Sequence, residues 1–316
     1  MRFAVIADVH GNLPALKAVL ADAQKHGAER YIFVGDYCLS NPYPDQCVSL
    51  IQSVNEKYVV KGNEEAGLQK LSYSDMDNWN DGQMEISYLT YRSLSEENRR
   101  WLFSLPDRLT VEFADKSLHI SHKLSRYMKD DDIEVIWSEL PAFEYKSAGI
   151  SFKKQQIMIK SALDENRDFQ ERFAALPDGA YIFAHSHIQW SYRSEDCKKL
   201  LLNPGSCGLP LDAVTEGTPY ALLDVADDGF SAKEMRAQFD SEAYLETFKQ
   251  SSHYKKAMVW SRIIEMELSK KCEHKMFFLR FMEKYADSIG DKKRPFSVDT
   301  WEKGFEEWIK DPIFYK

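Results

Sequence analysis

Phe3-Ala4-Val5-Ile6-Ala7-Asp8-Val9-His10-Gly11-Asn12 is the stretch on which the reading of this chain turns. Residues 3–7 are apolar without interruption, as in a strand buried on both faces. Asp8 and His10 follow where the strand gives way to a loop, so a carboxylate and an imidazole stand two residues apart. That pair suits a metal ion. Asn12 and Pro14 then mark a helix start, Asn as the cap and Pro in the first turn. Leu16, Val19, Leu20 and Ala23 recur at helical spacing before Gly27 ends the helix.

The same order of strand, loop and helix repeats along the chain. Residues 31–34 read as a second short strand, followed by Gly35-Asp36. A loop with Pro42 and Pro44 leads to a helix over residues 46–54, and residues 58–60 form a third strand before Gly62-Asn63. This alternation indicates an α/β architecture. Residues 65–104 read as mostly helical, residues 109–113 and 117–121 as a hairpin ending at His122, and residues 123–160 as an irregular, charged insertion or lid near the site. A strand over residues 181–183 ends at Ala184-His185-Ser186-His187. Residues 190–192 and 199–202 are expected to pair ahead of the turn-rich Asn203-Pro204-Gly205-Ser206, with the last strands over residues 220–225 and 230–237. After about residue 238 the spacing becomes helical, as in Val259/Ile263/Met266 and Phe278/Phe281/Tyr285, with a break over residues 290–294 and a final short helix over 301–309. The expected organisation is one domain over residues 1–238 and an α-helical C-terminal unit over residues 239–316. The aromatic residues of that unit read as core, and the unit could form one wall of a cleft.

Composition narrows the function. The 316 residues are 44% hydrophobic and 29% charged, as in an ordinary globular protein, and the formal net charge is −9. An acidic chain lacks the basic stripe that duplex nucleic acid requires, but a bound metal can invert the local field for a small anion. Five cysteines with no CxxC pair argue against a disulfide framework and for a reducing compartment. No apolar run approaches a membrane span, and the chain opens directly on a strand pattern, so neither membrane association nor a signal peptide is expected. The expected location is the cytoplasm.

Five short segments each follow an apolar strand: Asp8-x-His10, Gly35-Asp36, Gly62-Asn63, His122 and His185-x-His187. In an α/β sheet, strand ends of one polarity share an edge, where ligands bind. Two Asp, one Asn and four His would then meet in one crevice. Carboxylate with imidazole suits Mn, Fe or Zn better than Ca or Mg. Seven ligands are too many for one open catalytic metal and suit two that share a bridging carboxylate, a clamp fit for hydrolytic phosphoryl transfer.

Over roughly residues 1–235 this set resembles the calcineurin-like metallophosphoesterase superfamily. Asp8-Val9-His10-Gly11-Asn12, Gly35-Asp36 with Asn41-Pro42-Tyr43-Pro44, and Asn203-Pro204-Gly205-Ser206 look like its small bacterial YfcE-like phosphodiesterase branch. The resemblance implies a four-layer α-β-β-α sandwich, here with a C-terminal helical extension, and two metal ions, Mn or Fe with Zn as a further choice. It implies that Asp8, His10 and His187 hold one metal, that Asn63, His122 and His185 hold the other, and that Asp36 bridges them. A hydroxide shared by the two metals would attack phosphorus.

Three positions depart from the family pattern: Glu64 stands where a His that helps protonate the leaving group is usual, Lys123 where a Gly follows the single His, and Ala184 where a Gly opens the last His-x-His. Positive charge nearby keeps the Glu64 carboxyl ionised, and an ionised carboxylate donates no proton. The expected substrates are small phosphodiesters and nucleotide phosphoanhydrides, including nucleoside and dinucleoside polyphosphates, whose leaving groups need little protonation. A Ser/Thr protein phosphatase and a non-catalytic binding scaffold are the alternatives. Asn12, Asn41, Tyr43, Lys123 and Arg126 are candidate substrate contacts, Arg126 through its capacity for bidentate phosphate binding. His119, on the face opposite His122, reads as structural, Cys38 as a small buried residue, and His26, His253 and His274 as surface residues on helices.

Overall fold

The structure is a computed structural model that describes residues 1–113, 115–128 and 151–310. Strand β1, Arg2–Ile6, is the centre of the first sheet. Its alternation explains the uninterrupted apolar run. Phe3 and Val5 face the interior between two sheets, while Ala4 and Ile6 face a helical layer outside. β2 (Arg30–Phe33) and β3 (Lys57–Val59) continue that sheet in parallel, and β9 (Thr218–Ala226) and β10 (Gly229–Ala237) close its other side in antiparallel sense. The strand order is β10-β9-β1-β2-β3.

The second sheet runs β4-β5-β6-β8-β7, from strands Arg108–Phe113, Lys116–Ser121, Gly179–Ile182, Lys199–Pro204 and Gln189–Arg193 in that spatial order. The expected hairpin is present, with Leu109 opposite Ile120, and β7 pairs with β8 as read. The turn after β8 begins one residue later than Pro204, which still belongs to the strand. Leu118, Ile120, Ala180, Ile182, Leu200 and Leu202 meet Phe3, Val5, Ile32, Val34 and Val60 in the central core. Helices α1 (Leu13–Lys25) and α2 (Pro44–Ser53) cover the first sheet. The chain then adds α3 (Asn63–Leu71), α4 (Glu85–Ser93) and α5 (Glu96–Ser104).

The outer face of the second sheet is covered by α6 (Phe152–Glu165) and α7 (Arg167–Ala175). This completes the α-β-β-α sandwich and corrects the reading of residues 123–160 as irregular. Residues 152–160 belong to a helix, capped by the Ser151 side chain on the Lys154 N–H. Its buried stripe, Gln155, Ile159 and Leu163, is too narrow to stand out among lysines and glutamines. The rest of that insertion, residues 129–150, lies outside the described residues.

Helices α8 (Ser241–Gln250), α9 (Ser252–Lys256), α10 (Met258–Lys270), α11 (Lys275–Ser288) and α12 (Val298–Trp308) follow. They have an aromatic core of Phe278, Phe296, Trp301, Phe305 and Trp308 with Val259, Ile263 and Met282. Helix packing here corrects two residues. His253 and His274 are buried rather than at the surface; burial lowers His253 to about 4. His26 is exposed as expected. Among the described residues no helix is long and apolar enough to cross a membrane.

Trp301 is fully buried against Trp260, Phe278 and Phe296. Trp301→Ala should cost about 3–5 kcal/mol of folding free energy, measured from the denaturant midpoint. A loss below about 1 kcal/mol would show that this cluster is loosely packed.

Candidate metal centre

The ends of β1, β2, β3, β5 and β6 lie along one edge of the sandwich, and their loops interlock. The Asp8, His10 and Gly11 N–H groups donate to the carbonyls of Gly35, Asp36 and Tyr37, extending the parallel pairing beyond the strands. Five predicted ligands, Asp8, His10, Asp36, His185 and His187, have left-handed backbone, with φ between 48° and 74°. Such backbone costs about 1–2 kcal/mol per L-residue and persists where surroundings impose it. Two glycines make the crowding possible. A Cβ at Gly62 would lie 2.1 Å from Asp36 Oδ1, and one at Gly35, where φ is +93°, would lie 2.6 Å from Gly62 Cα and from His122 Nδ1.

Within this frame the side chains converge in two groups. Ligand atoms of Asp8, His10 and His187 lie within 4.8 Å of one another, and so do those of Asp36, His122 and His185. Asn63 Oδ1 is 3.0 Å from His122 Nε2, and Asp36 Oδ2 is 3.2 Å from the same nitrogen. Nδ1 of His187 bonds the Leu209 carbonyl at 2.8 Å, and Nδ1 of His122 bonds the Val34 carbonyl at 2.7 Å. A carbonyl only accepts, so each Nδ1 carries the proton and Nε2 is turned toward the centre, the usual support for a metal-binding imidazole. The Nε2 atoms of His10 and His187 approach to 3.0 Å, and Asp8 Oδ1 is buried without a hydrogen-bond partner. An orphaned carboxylate oxygen beside converging imidazole nitrogens fits a cation.

The electrostatics agree. Burial pulls the imidazolium of His10 down, yet Glu64, with Asp36 and Asp8, lifts it to about 9. Burial opposes His122 in the same way, and Asp36 lifts it to about 10. Burial raises the Asp8 carboxyl, whereas His122 and His10 overcome burial at Asp36 and hold it well below the usual range. Burial, with the charges of His122 and Lys123, lowers His185 to about 3; burial and His10 hold His187 well below its ordinary value. The carboxylates thus draw protons onto two imidazoles in place of cations.

Glu64 is directed into the site. Its Oε2 lies 3.1 Å from His10 Nδ1 and accepts the Leu39 N–H at 3.2 Å, and it shares a close group with His10 and Asp36. The substrate candidates fare less well. Asn12 caps α1 on the Ala15 N–H and donates to the Gly208 carbonyl, so its amide is spent on the fold. Asn41 is buried, and its Oδ1 accepts the Tyr244 hydroxyl. Tyr43 packs beside the cluster of Tyr244 and Phe248. Arg126 is exposed and lines a recess with Arg108, His119, Leu176 and Tyr181, and none of the seven predicted ligands lines it. Lys123 is half-buried, and its charge reaches His185. His119 stacks on Tyr181 and Cys38 is buried, as expected.

Sequence reasoning missed Glu65. Its buried carboxylate accepts the N–H groups of Asp36, Tyr37 and Gly62 and the Cys38 thiol, tying the ends of β2 and β3 together. Its place three residues after Gly62, the cap of α3, is the pattern in which a glutamate reaches back to the cap N–H, and that spacing could have identified it.

The sequence pattern of the calcineurin-like phosphoesterase superfamily domain matches residues 1–228. The chain is 29% identical over 238 residues to the uncharacterized protein MJ0912 of Methanocaldococcus jannaschii, covering 75% of this chain and 87% of that one. Its fold is similar to that of a metallophosphoesterase from Sphaerobacter thermophilus, with TM-score 0.59 at 20% identity over 86% of this chain and 99% of that one. It is also similar to that of the hypothetical protein PH1004 from Pyrococcus horikoshii OT3, with TM-score 0.53 at 18% identity over 83% of this chain and 97% of that one.

Cations that replace the protons on His10 and His122 should release about one to two protons per chain near neutral pH, and apparent Mn affinity should rise as pH climbs toward 9. Calorimetry of Mn binding in buffers of different ionisation enthalpy measures this; heats independent of buffer would contradict it. Gly62→Ala should reduce bound metal sharply while leaving far-UV circular dichroism intact, because its Cβ meets Asp36 rather than the core.

Proposed function

The chain belongs to the calcineurin-like phosphoesterase superfamily, a family of metal-dependent hydrolases, and from that premise we propose a two-metal phosphoesterase of small phosphodiesters and nucleotide phosphoanhydrides. In this reading Asp8, His10 and His187 hold one ion, Asn63, His122 and His185 hold the second, and Asp36 is shared. When bound, such ions supply Lewis-acid stabilisation of phosphate oxygens and an acidified water at neutral pH. The chain's own residues do the rest. The Leu209 and Val34 carbonyls fix His187 and His122 as acceptors toward the centre. Glu65 fixes the backbone that carries Asp36. Ions of either Mn or Fe suit this donor set.

One observation supports the substrate class. The Glu64 carboxylate is held between His10 Nδ1 and the Leu39 N–H, at the position where the family carries a histidine. A carboxylate in this place offers acceptor oxygens rather than the ring N–H that a histidine could give to a departing oxygen. Phosphate leaving groups and aryloxides depart without protonation, whereas simple alkoxides do not. Free, mostly buried cysteines are in keeping with a reducing, cytoplasmic setting.

Asp36→Asn should lower hydrolysis at least about a hundredfold by weakening both metal sites at once; unchanged turnover and metal content would refute the assignment. Glu64→His should raise kcat/KM for alkyl phosphomonoesters far more than for bis(p-nitrophenyl) phosphate. An equal change on both substrates would contradict the leaving-group argument.

A further inference from the structure

The imidazoles of the centre are held from behind in two different ways. His122 and His187 each give Nδ1–H to a backbone carbonyl, of Val34 and of Leu209. His10 is held differently. Its Nε2 lies 3.0 Å from His187 Nε2, so that nitrogen is turned to the centre, and its Nδ1 is turned back toward the start of α3. Among the described residues Nδ1 of His10 makes no well-aligned hydrogen bond, yet Glu64 Oε2 stands 3.1 Å from it. The two side chains are 1% and 8% exposed, so water does not readily take the place of that carboxylate.

Glu64 is itself tied into the frame. Its Oε2 accepts the Leu39 N–H at 3.2 Å, from the loop after β2, and its own N–H donates to Asp36 Oδ1 at 2.9 Å. One residue at the start of α3 thus touches His10 through its side chain and the shared carboxylate through its backbone.

We infer that Glu64 is a positioning residue for His10: its carboxylate accepts the Nδ1–H of the ring when Nε2 is given to a cation, and so holds His10 as a donor beside Asp8 and His187. The Nδ1–H has to be there, because a neutral imidazole that offers Nε2 as a lone pair carries its one proton on Nδ1. Buried without an acceptor, that N–H would be an unsatisfied polar group, and the 3.1 Å contact is within reach of the bond that satisfies it. A carboxylate also differs from a carbonyl in charge, and it makes the ring behind which it stands the more basic donor. The Asp8, His10 and His187 group then has two carboxylates of its own, Asp8 directly and Glu64 through His10, whereas Asn63, His122 and His185 bring no charge as ligands. The two groups should therefore fill unequally, the first more tightly. The same role keeps the Glu64 carboxylate behind His10 rather than at a departing oxygen. The inference rests on the two-metal part of the proposed function and not on its substrate.

The test is a Mn titration of the full chain without substrate, with the thermal midpoint of each metal-free variant recorded. The wild type should bind two equivalents, in a tighter and a weaker class. Glu64→Gln, which keeps the shape of the side chain and removes its charge, should weaken the tighter class about tenfold, and Glu64→Ala up to about a hundredfold, with two equivalents still bound at saturation. The Co(II)-loaded protein reports on the ring itself, because ring N–H protons of histidine ligands give exchangeable, strongly shifted proton resonances. One of them should move in E64Q and broaden through solvent exchange in E64A, while the rest stay in place. Unchanged affinity in both variants overturns the proposal. So does lowered affinity with every such resonance unmoved, which would show a charge acting at a distance. Loss of one whole equivalent from E64Q overturns it as well, by making Glu64 itself a ligand, a reading that its closeness to His10 and Asp36 allows. A wild type that binds no Mn overturns both this inference and the proposed function. Should E64A fail to fold, the isosteric E64Q carries the test. A protein whose metal affinity depends on Glu64 but which hydrolyses no ester or anhydride keeps this inference and loses the proposed activity; hydrolysis with metal affinity indifferent to Glu64 does the reverse.

Discussion

The carboxylate of Glu65 lies buried between the ends of β2 and β3, with the Asp36, Tyr37 and Gly62 N–H groups and the Cys38 thiol all directed onto it. These donors sit where two parallel strands finish and their backbone groups would otherwise lack partners. Leaving them unsatisfied in a water-free interior costs about 1–3 kcal/mol each. With Glu65 in place, Asp36 can hold its left-handed backbone, and Gly62 can sit against it with no room for a Cβ. Burial, with Asp36 and Glu64 close by, raises Glu65 to about 7, so the scaffold carries its own electrostatic tension. Cations in the centre would relieve it by favouring the ionised form. The carboxylate that builds the site and ions bound in it would thus support one another.

A second constraint is the fixing of imidazole orientation from outside the centre. The carbonyls that hold His122 and His187 come from the end of β2 and from the loop around Leu209. That loop is sandwiched between the metal-facing edge and the C-terminal helices through Leu209 and Ala213. Displacing those helices would therefore disturb the His187 ring without touching it. This joins the helical addition mechanically to a centre otherwise built from the sandwich.

Much of the centre was legible because strand ends are easily read. An apolar run marks a buried strand, and a polar residue just beyond it can only face the sheet edge. Asp8, Asp36, His122 and His185 lie within three residues of such an end, and His10, Asn63 and His187 lie four or five residues beyond one. Less legible features depend on tertiary packing. Asn12 offers the same amide whether it caps a helix or binds phosphate, and only the approach of Gly208 decides between them. His253 and His274 lie on polar helical stretches, but neighbouring helices bury them. The stripe of Gln155, Ile159 and Leu163 is too thin to declare a helix in a charged segment.

The central claim is that these side chains hold two ions sharing Asp36 rather than one ion among unrelated polar residues. Electron paramagnetic resonance of the Mn-loaded protein tests it most directly. Two ions bridged by one carboxylate should give an exchange-coupled spectrum that Asp36→Asn abolishes. The hyperfine pattern of an isolated Mn(II) ion, unchanged on adding excess metal, would contradict the account.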